Sequence, residues 1–153
     1  MDQNDFKYDV FVTYSRKDSR WVDSELLRLL RENQVKYCVD HEHFELGKVF
    51  VQSMVDSVYQ SRKVLAVWSE NYAYSKYCKQ ELDYAIQRSF QNNDCSVIVI
   101  RLEKTDPKQL PKPLRAKTFL DYSDSVEKKG WEKRLIMHLK GPDQRNHVIT
   151  TIV

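Results

Sequence analysis

Apolar side chains along this chain follow two periods, and the alternation between them outlines its fold. Residues 6–13, Phe-Lys-Tyr-Asp-Val-Phe-Val-Thr, are mostly β-branched and aromatic, as a strand should be. A polar turn follows (Tyr14–Ser19), in which Asp18 or Ser19 can cap the next helix. That helix is expected to reach Asn33, with Val22, Leu26, Leu29 and Leu30 on one face. Val35–Val39 reads as a second strand. Val51, Met54, Val55 and Val58 then mark the inward face of a second helix, ended by Ser61-Arg62-Lys63. Val64–Trp68 is continuously apolar, the mark of a strand covered on both faces. Beyond the turn Ser69–Tyr72, Ser75 can cap a helix to about Phe90, with Cys78, Leu82, Ala85 and Ile86 inward. Ser96–Leu102 is a fourth strand, and three prolines between Asp106 and Pro113 argue for a loop. Thr118–Tyr122 is a short fifth strand. A last helix is expected over about Val126–Lys140, with Trp131, Leu135 and Leu139 inward and Gly141-Pro142 ending it.

Strand and helix thus alternate, through connections too long for hairpins. This predicts an α/β domain with a parallel sheet and helices on both faces. In such sheets the functional surface lies beyond the carboxyl ends of the strands. The segments expected there are Tyr14–Ser19, Asp40–Lys48, Ser69–Tyr74, Glu103–Ala116 and the turn near Ser123. The second is unusual: Phe44 and Leu46 are large apolar residues in a loop that leaves a sheet for a helix. Either they fold back towards Phe50 or Val51, or they project to meet a partner, with Glu42, Glu45 and Lys48 as charged surround.

The length of 153 residues suits one domain. A net charge of +3 on 25 basic and 22 acidic residues gives no reason to expect a nucleic-acid partner. The apolar runs are far shorter than the ~18 residues that span a bilayer. Cys38, Cys78 and Cys95 lie far apart, in no metal-binding spacing, and read as free thiols; Cys38 and Cys78 should be buried and Cys95 more accessible.

Most catalytic motifs are missing. None of the three glycines opens a helix in a phosphate-binding loop. The residues after the first and third strands are Tyr14-Ser15 and Ser69-Glu70, without the paired acids of a Mg²⁺-binding phospho-receiver. His41 and His43 lack a third ligand of known proximity, so no metal is expected. One acid stands out. Glu81 lies in the first turns of the helix over 75–90, beside its inward face. There it could overlook the cleft and stabilise an oxocarbenium-like centre, or it could pair with Lys79 or Arg88 on the helix flank.

Four blocks, taken together, resemble the Toll/interleukin-receptor (TIR) domain family. Tyr8-Asp9-Val10-Phe11-Val12-Thr13-Tyr14-Ser15 is similar to its first signature box. Phe44-Glu45-Leu46-Gly47-Lys48 matches the second in frame, and Gly130-Trp131 falls at the third. Tyr77-Cys78-Lys79-Gln80-Glu81-Leu82 is similar to the family's Trp-Cys-x-x-Glu-Leu. The second box departs from its usual Arg-Asp-x-x-Pro-Gly: Glu42 takes the place of Arg, and Leu46 that of Pro. The resemblance, closest to Toll-like receptors, implies a TIR domain over 6–141 and a tail over 142–153. It implies a flavodoxin-like, doubly wound five-stranded sheet of order 2-1-3-4-5. It further implies signalling by association with other TIR domains, adaptors included, and a place on the cytoplasmic side of a single-pass receptor whose membrane segment lies outside this chain. Glu42, His43, Phe44, Glu45, Leu46, Gly47 and Lys48, with Tyr74 and Tyr77, are then the expected interaction residues. No cofactor is implied. An alternative within the family is an NAD⁺ glycohydrolase, with Glu81 catalytic and NAD⁺ as substrate.

Overall fold

The structure, a computed structural model, describes residues 6–39, 50–92, 97–115 and 120–141. In chain order the elements are β1 (Tyr8–Thr13), α1 (residues 16–32), β2 (Tyr37–Val39), α2 (Phe50–Gln60), β3 (Ser61–Trp68) and α3 (Glu70–Ala73). They continue with α4 (Lys76–Asn92), β4 (Val97–Arg101), α5 (Lys112–Arg115), β5 (Leu120–Asp121) and α6 (Trp131–Lys140). All five strands are parallel, in the order β2-β1-β3-β4-β5. This is the flavodoxin-like order the resemblance implies, and β3 and β4 are interior strands, as their continuous apolar runs require.

The two-residue period of a strand divides those runs between two cores. Val10, Val12, Leu65 and Val67 pack with Leu26, Leu30 and Leu135, under α1 and α6. Phe11, Val64, Ala66 and Trp68 pack with Tyr72, Leu82 and Ala85, under α3 and α4. Thr13, two residues beyond Phe11, continues the second face at the carboxyl end of β1.

Some boundaries differ from expectation. Asp18 makes no side-chain cap on α1; Ser15 does, accepting from the Lys17 backbone N–H. Asp18 instead accepts from Asn71 Nδ2 at 3.0 Å and from the Ser69 hydroxyl, tying two loops of the carboxyl edge together. Within α1, residues Val22–Leu27 form a π-helical stretch. Its i to i+5 register brings Leu27 into the core beside the expected Val22, Leu26, Leu29 and Leu30. The helix ends without glycine: Gln34 takes a φ of 55°, and Val35 N–H reaches back to Leu30 O at 2.9 Å.

Ser61-Arg62-Lys63 does not end α2. These residues open β3, where Ser61 pairs with Tyr8 and Lys63 with Val10. The Arg88 guanidinium, buried, donates to the carbonyls of Val58, Ser61 and Arg62, and Ser61 Oγ donates to Ser57 O at 2.8 Å. With the last helical carbonyls satisfied in this way, the chain passes from helix to strand without a loop. On α2, Val58 is buried and Val55 half-buried, while the side chains of Val51 and Met54 lie outside the described residues. The proline-rich segment holds a 3₁₀ turn (Pro107–Gln109) and the single-turn α5, in line with a loop rather than a full helix.

The last helix starts later than its pattern suggested, at Trp131. Asp124 takes the backbone N–H groups of Val126 and Glu127 at 2.8 and 3.1 Å, which folds residues 123–130 into turns. These two hydrogen bonds hold the Asp124 carboxyl below its ordinary range. Trp131, Leu135 and Leu139 are buried as the spacing requires.

Candidate functional site

The carboxyl ends of β1 and β3 open onto a groove of about 640 Å³. One wall is the turn after β1, with Tyr14, Ser15, Arg16 and Lys17. The opposite wall is built by α3 and the first turn of α4, with Asn71, Tyr74 and Tyr77. Each of these two helices starts at a serine cap: Ser69 accepts from Tyr72 N–H at 3.1 Å, and Ser75 from Cys78 N–H at 3.2 Å. Tyr74 sits between the two helices, where no core position is available, and its side chain is 77% exposed. Tyr77 is half-buried along the same wall.

Glu81, one turn further along α4, is 1% exposed, and the groove lining does not include it. Its Oε1 lies 2.6 Å from Thr13 Oγ1 at the end of β1. Thr13 Oγ1 is in turn 3.1 Å from the Tyr72 hydroxyl, which donates to Cys78 O at 3.1 Å. Burial, with Cys78 and Glu81 adding to it, holds the Tyr72 phenol well above its ordinary value, so Tyr72 keeps its proton. Behind the groove, then, a buried polar chain joins β1, α3 and α4. Thr13 thus meets Glu81 from the end of β1, and Arg88 donates to backbone carbonyls.

Other contacts fasten the same edge. Glu103 accepts from Glu70 N–H at 2.8 Å, Trp68 Nε1 donates to Thr105 Oγ1 at 3.1 Å, and Arg101 lies 3.4 Å from Asp121. The structure therefore brings Tyr74 and Tyr77 to one wall and withdraws Glu81 behind it. Glu42, His43, Phe44, Glu45, Leu46, Gly47 and Lys48 lie outside the described residues, as does Cys95. Cys38 and Cys78 are free and buried. Sequence reasoning missed Thr13 and Tyr72. Thr13 could have been found by extending the alternation of β1 one step past Phe11.

The profile of the TIR domain matches residues 10–136, most of the described fold. The chain belongs to the TIR domain family. Among relatives of this TIR domain, Toll-like receptor 2 of Equus caballus is 34% identical over 139 residues, covering 84% of this chain. Toll-like receptor 2 of Canis lupus familiaris is 35% identical over 137 residues, covering 83%. This TIR domain spans only 18% of the length of either receptor. In three dimensions it is similar to the TIR domain of the Toll-related receptor TRR-2 from Hydra magnipapillata, with a TM-score of 0.77 at 21% identity, covering 88% of this chain and all of that one. A TIR-STING receptor from C. gigas gives a TM-score of 0.75 at 22% identity, over 93% of this chain and 42% of that one. These two likenesses extend the agreement in fold. Among the described residues, no helix is long and apolar enough to cross a membrane.

Proposed function

We propose that this TIR domain is the cytoplasmic signalling module of a Toll-like receptor and works in innate immune signalling by associating with other TIR domains. Its partners are further copies of itself and TIR-containing adaptors, and a membrane-spanning segment outside these residues anchors it. The observation that carries this reading is the groove wall. It presents an exposed aromatic ring, Tyr74, at the functional edge of the sheet, in a groove that Arg16 and Lys17 also line, while the one candidate catalytic acid is buried behind it. An exposed aromatic beside charge is how interaction hot spots are built. The loop with Glu42, His43, Phe44, Glu45, Leu46, Gly47 and Lys48 completes the surface in this reading, which uses no cofactor. The named relatives support the receptor assignment.

The test is Tyr74→Ala and Leu46→Ala, each followed by denaturant melt and by association with a TIR partner or with itself. Stability should move by no more than about 0.5 kcal/mol. Affinity should fall by about 2 kcal/mol, roughly thirtyfold. Incubation with NAD⁺ should release little or no nicotinamide. Turnover that Glu81→Ala removes at unchanged melting temperature would replace this reading with the glycohydrolase.

A further inference from the structure

Residues 125–140 hold five Lys or Arg against two Glu, an excess of three that equals the net charge of the whole chain. The rest of the sequence is balanced, so the positive charge is concentrated on and before α6. Trp131, Leu135 and Leu139 face the core. Lys133, Met137 and Lys140, at i, i+4 and i+7, therefore share the opposite side of the helix, and all three are exposed. The turns that lead into α6 expose Val126, Lys128 and Lys129 as well. Val126 is 76% and Met137 64% exposed, two of the four large apolar side chains so placed among the described residues. Acids on the neighbouring helix do not cancel this charge. Glu25 and Glu32 of α1 lie 3.5 and 2.9 Å from Arg28, which also reaches Glu132 at 3.8 Å.

We propose that the outer face of α6, with the turns before it, docks on an anionic phospholipid bilayer. Cations set around exposed apolar tips suit a headgroup layer, which offers negative charge and, just beneath it, hydrocarbon. A nucleic acid would pair the cations but give Val126 and Met137 nothing to enter. The choice of a bilayer rests on the proposed receptor reading, in which the domain is anchored at the cytoplasmic leaflet. Held there, a weak surface suffices, because the anchor keeps its local concentration high. The geometry leaves the interaction edge free. α6 packs on one face of the sheet and α3 and α4 on the other, so docking through α6 turns the α3–α4 wall of the groove away from the lipid.

The test is flotation of the whole chain with vesicles of phosphatidylcholine and phosphatidylserine, about 7:3, against vesicles of phosphatidylcholine alone. Binding should require phosphatidylserine and weaken as salt is added. Lys129→Gln with Lys133→Gln should weaken it about twenty-five-fold, or about fivefold per cation. Met137→Ser should weaken it severalfold at every salt concentration, since it removes an apolar contact and no charge. All these side chains are exposed, so melting temperatures should hold. Lys76→Gln with Lys79→Gln, exposed on α4 across the sheet, should change binding by less than about twofold. The proposal fails if anionic vesicles are not bound, if phosphatidylcholine alone binds as well, or if the α4 pair costs as much as the α6 pair. It also fails if the α6 pair weakens retention on a DNA duplex while vesicles stay unbound, which would make the face a polyanion site. The assay needs neither anchor nor TIR partner. Vesicle binding alongside a Tyr74→Ala variant that associates normally would sink the association reading and leave this one standing.

Discussion

The two faces of the sheet are built on different principles. Under α1 and α6 the buried set is aliphatic and aromatic, closed at one end by the rings of Trp21, Tyr122 and Trp131, with centroids 5.2 to 5.6 Å apart. The charged exception, Lys63, sits near the amino end of β3. Under α2, α3 and α4 the hydrocarbon is threaded with polar groups: Arg88 on three carbonyls, the Thr13–Glu81–Tyr72 chain, and Trp68 on Thr105. A dry core needs only volume and shape, and tolerates exchange of one apolar residue for another. A core wired by hydrogen bonds specifies positions, since a lost partner leaves a buried group exposed to no solvent. The groove wall built by α3 and α4 belongs to the wired side, where position matters most.

The contrast can be broken by substitution. The largest effect is expected at Arg88→Ala, which strands three carbonyls and should cost about 3–5 kcal/mol in a denaturant melt. Arg88→Lys should recover little of this, because an ammonium cannot reproduce the planar fork. On the dry face, Leu135→Ala should cost about 3 kcal/mol, and Leu135→Met should recover most of it. Equal tolerance of the conservative changes at both sites would erase the distinction.

A smaller effect tests the polar chain itself. Thr13→Val keeps shape and removes the hydroxyl, and should cost about 1–3 kcal/mol by thermal or denaturant melt. A loss near zero would mean that Tyr72 and Glu81 find other partners without it.

The smallest effect belongs to the dry face. His138 on α6 is lowered from its ordinary value by partial burial, then by Lys63 and Arg134. The folded state thus favours neutral imidazole. Its contribution is present above the ordinary histidine value and is lost as the pH falls below it. Between about pH 7 and 5, wild type should lose slightly more stability than His138→Gln in parallel melts.

What could be read from sequence follows the same division. The dry face was legible because apolar periodicity encodes it directly: Val22, Leu26, Leu29, Leu30, Trp131, Leu135 and Leu139 are all buried as their spacing required. Leu27 escaped because a π-helical register is not visible in a 3.6-residue pattern. The wired face was legible only in outline. Cys78, Leu82, Ala85 and Ile86 pointed inward as expected, but Thr13, which hydrogen-bonds Glu81, stands 68 residues away on another element. Side-chain pairing between a strand and a helix distant in sequence leaves no local trace. The cations of Ser61-Arg62-Lys63 suggested a helix end, when the carbonyls there are served by Arg88, 26 to 30 residues on.

The direct passage from α2 into β3 has a mechanical consequence. Eleven helical residues make a rod of about 16 Å. Its carboxyl end is continuous with an interior strand and clasped by Arg88, so it cannot slide without shearing β3 against β1. A push on its amino end, next to the segment that holds Phe44 and Leu46, is then felt as torque about residue 61. The guanidinium that bears on this fulcrum belongs to α4, the helix that begins at the groove.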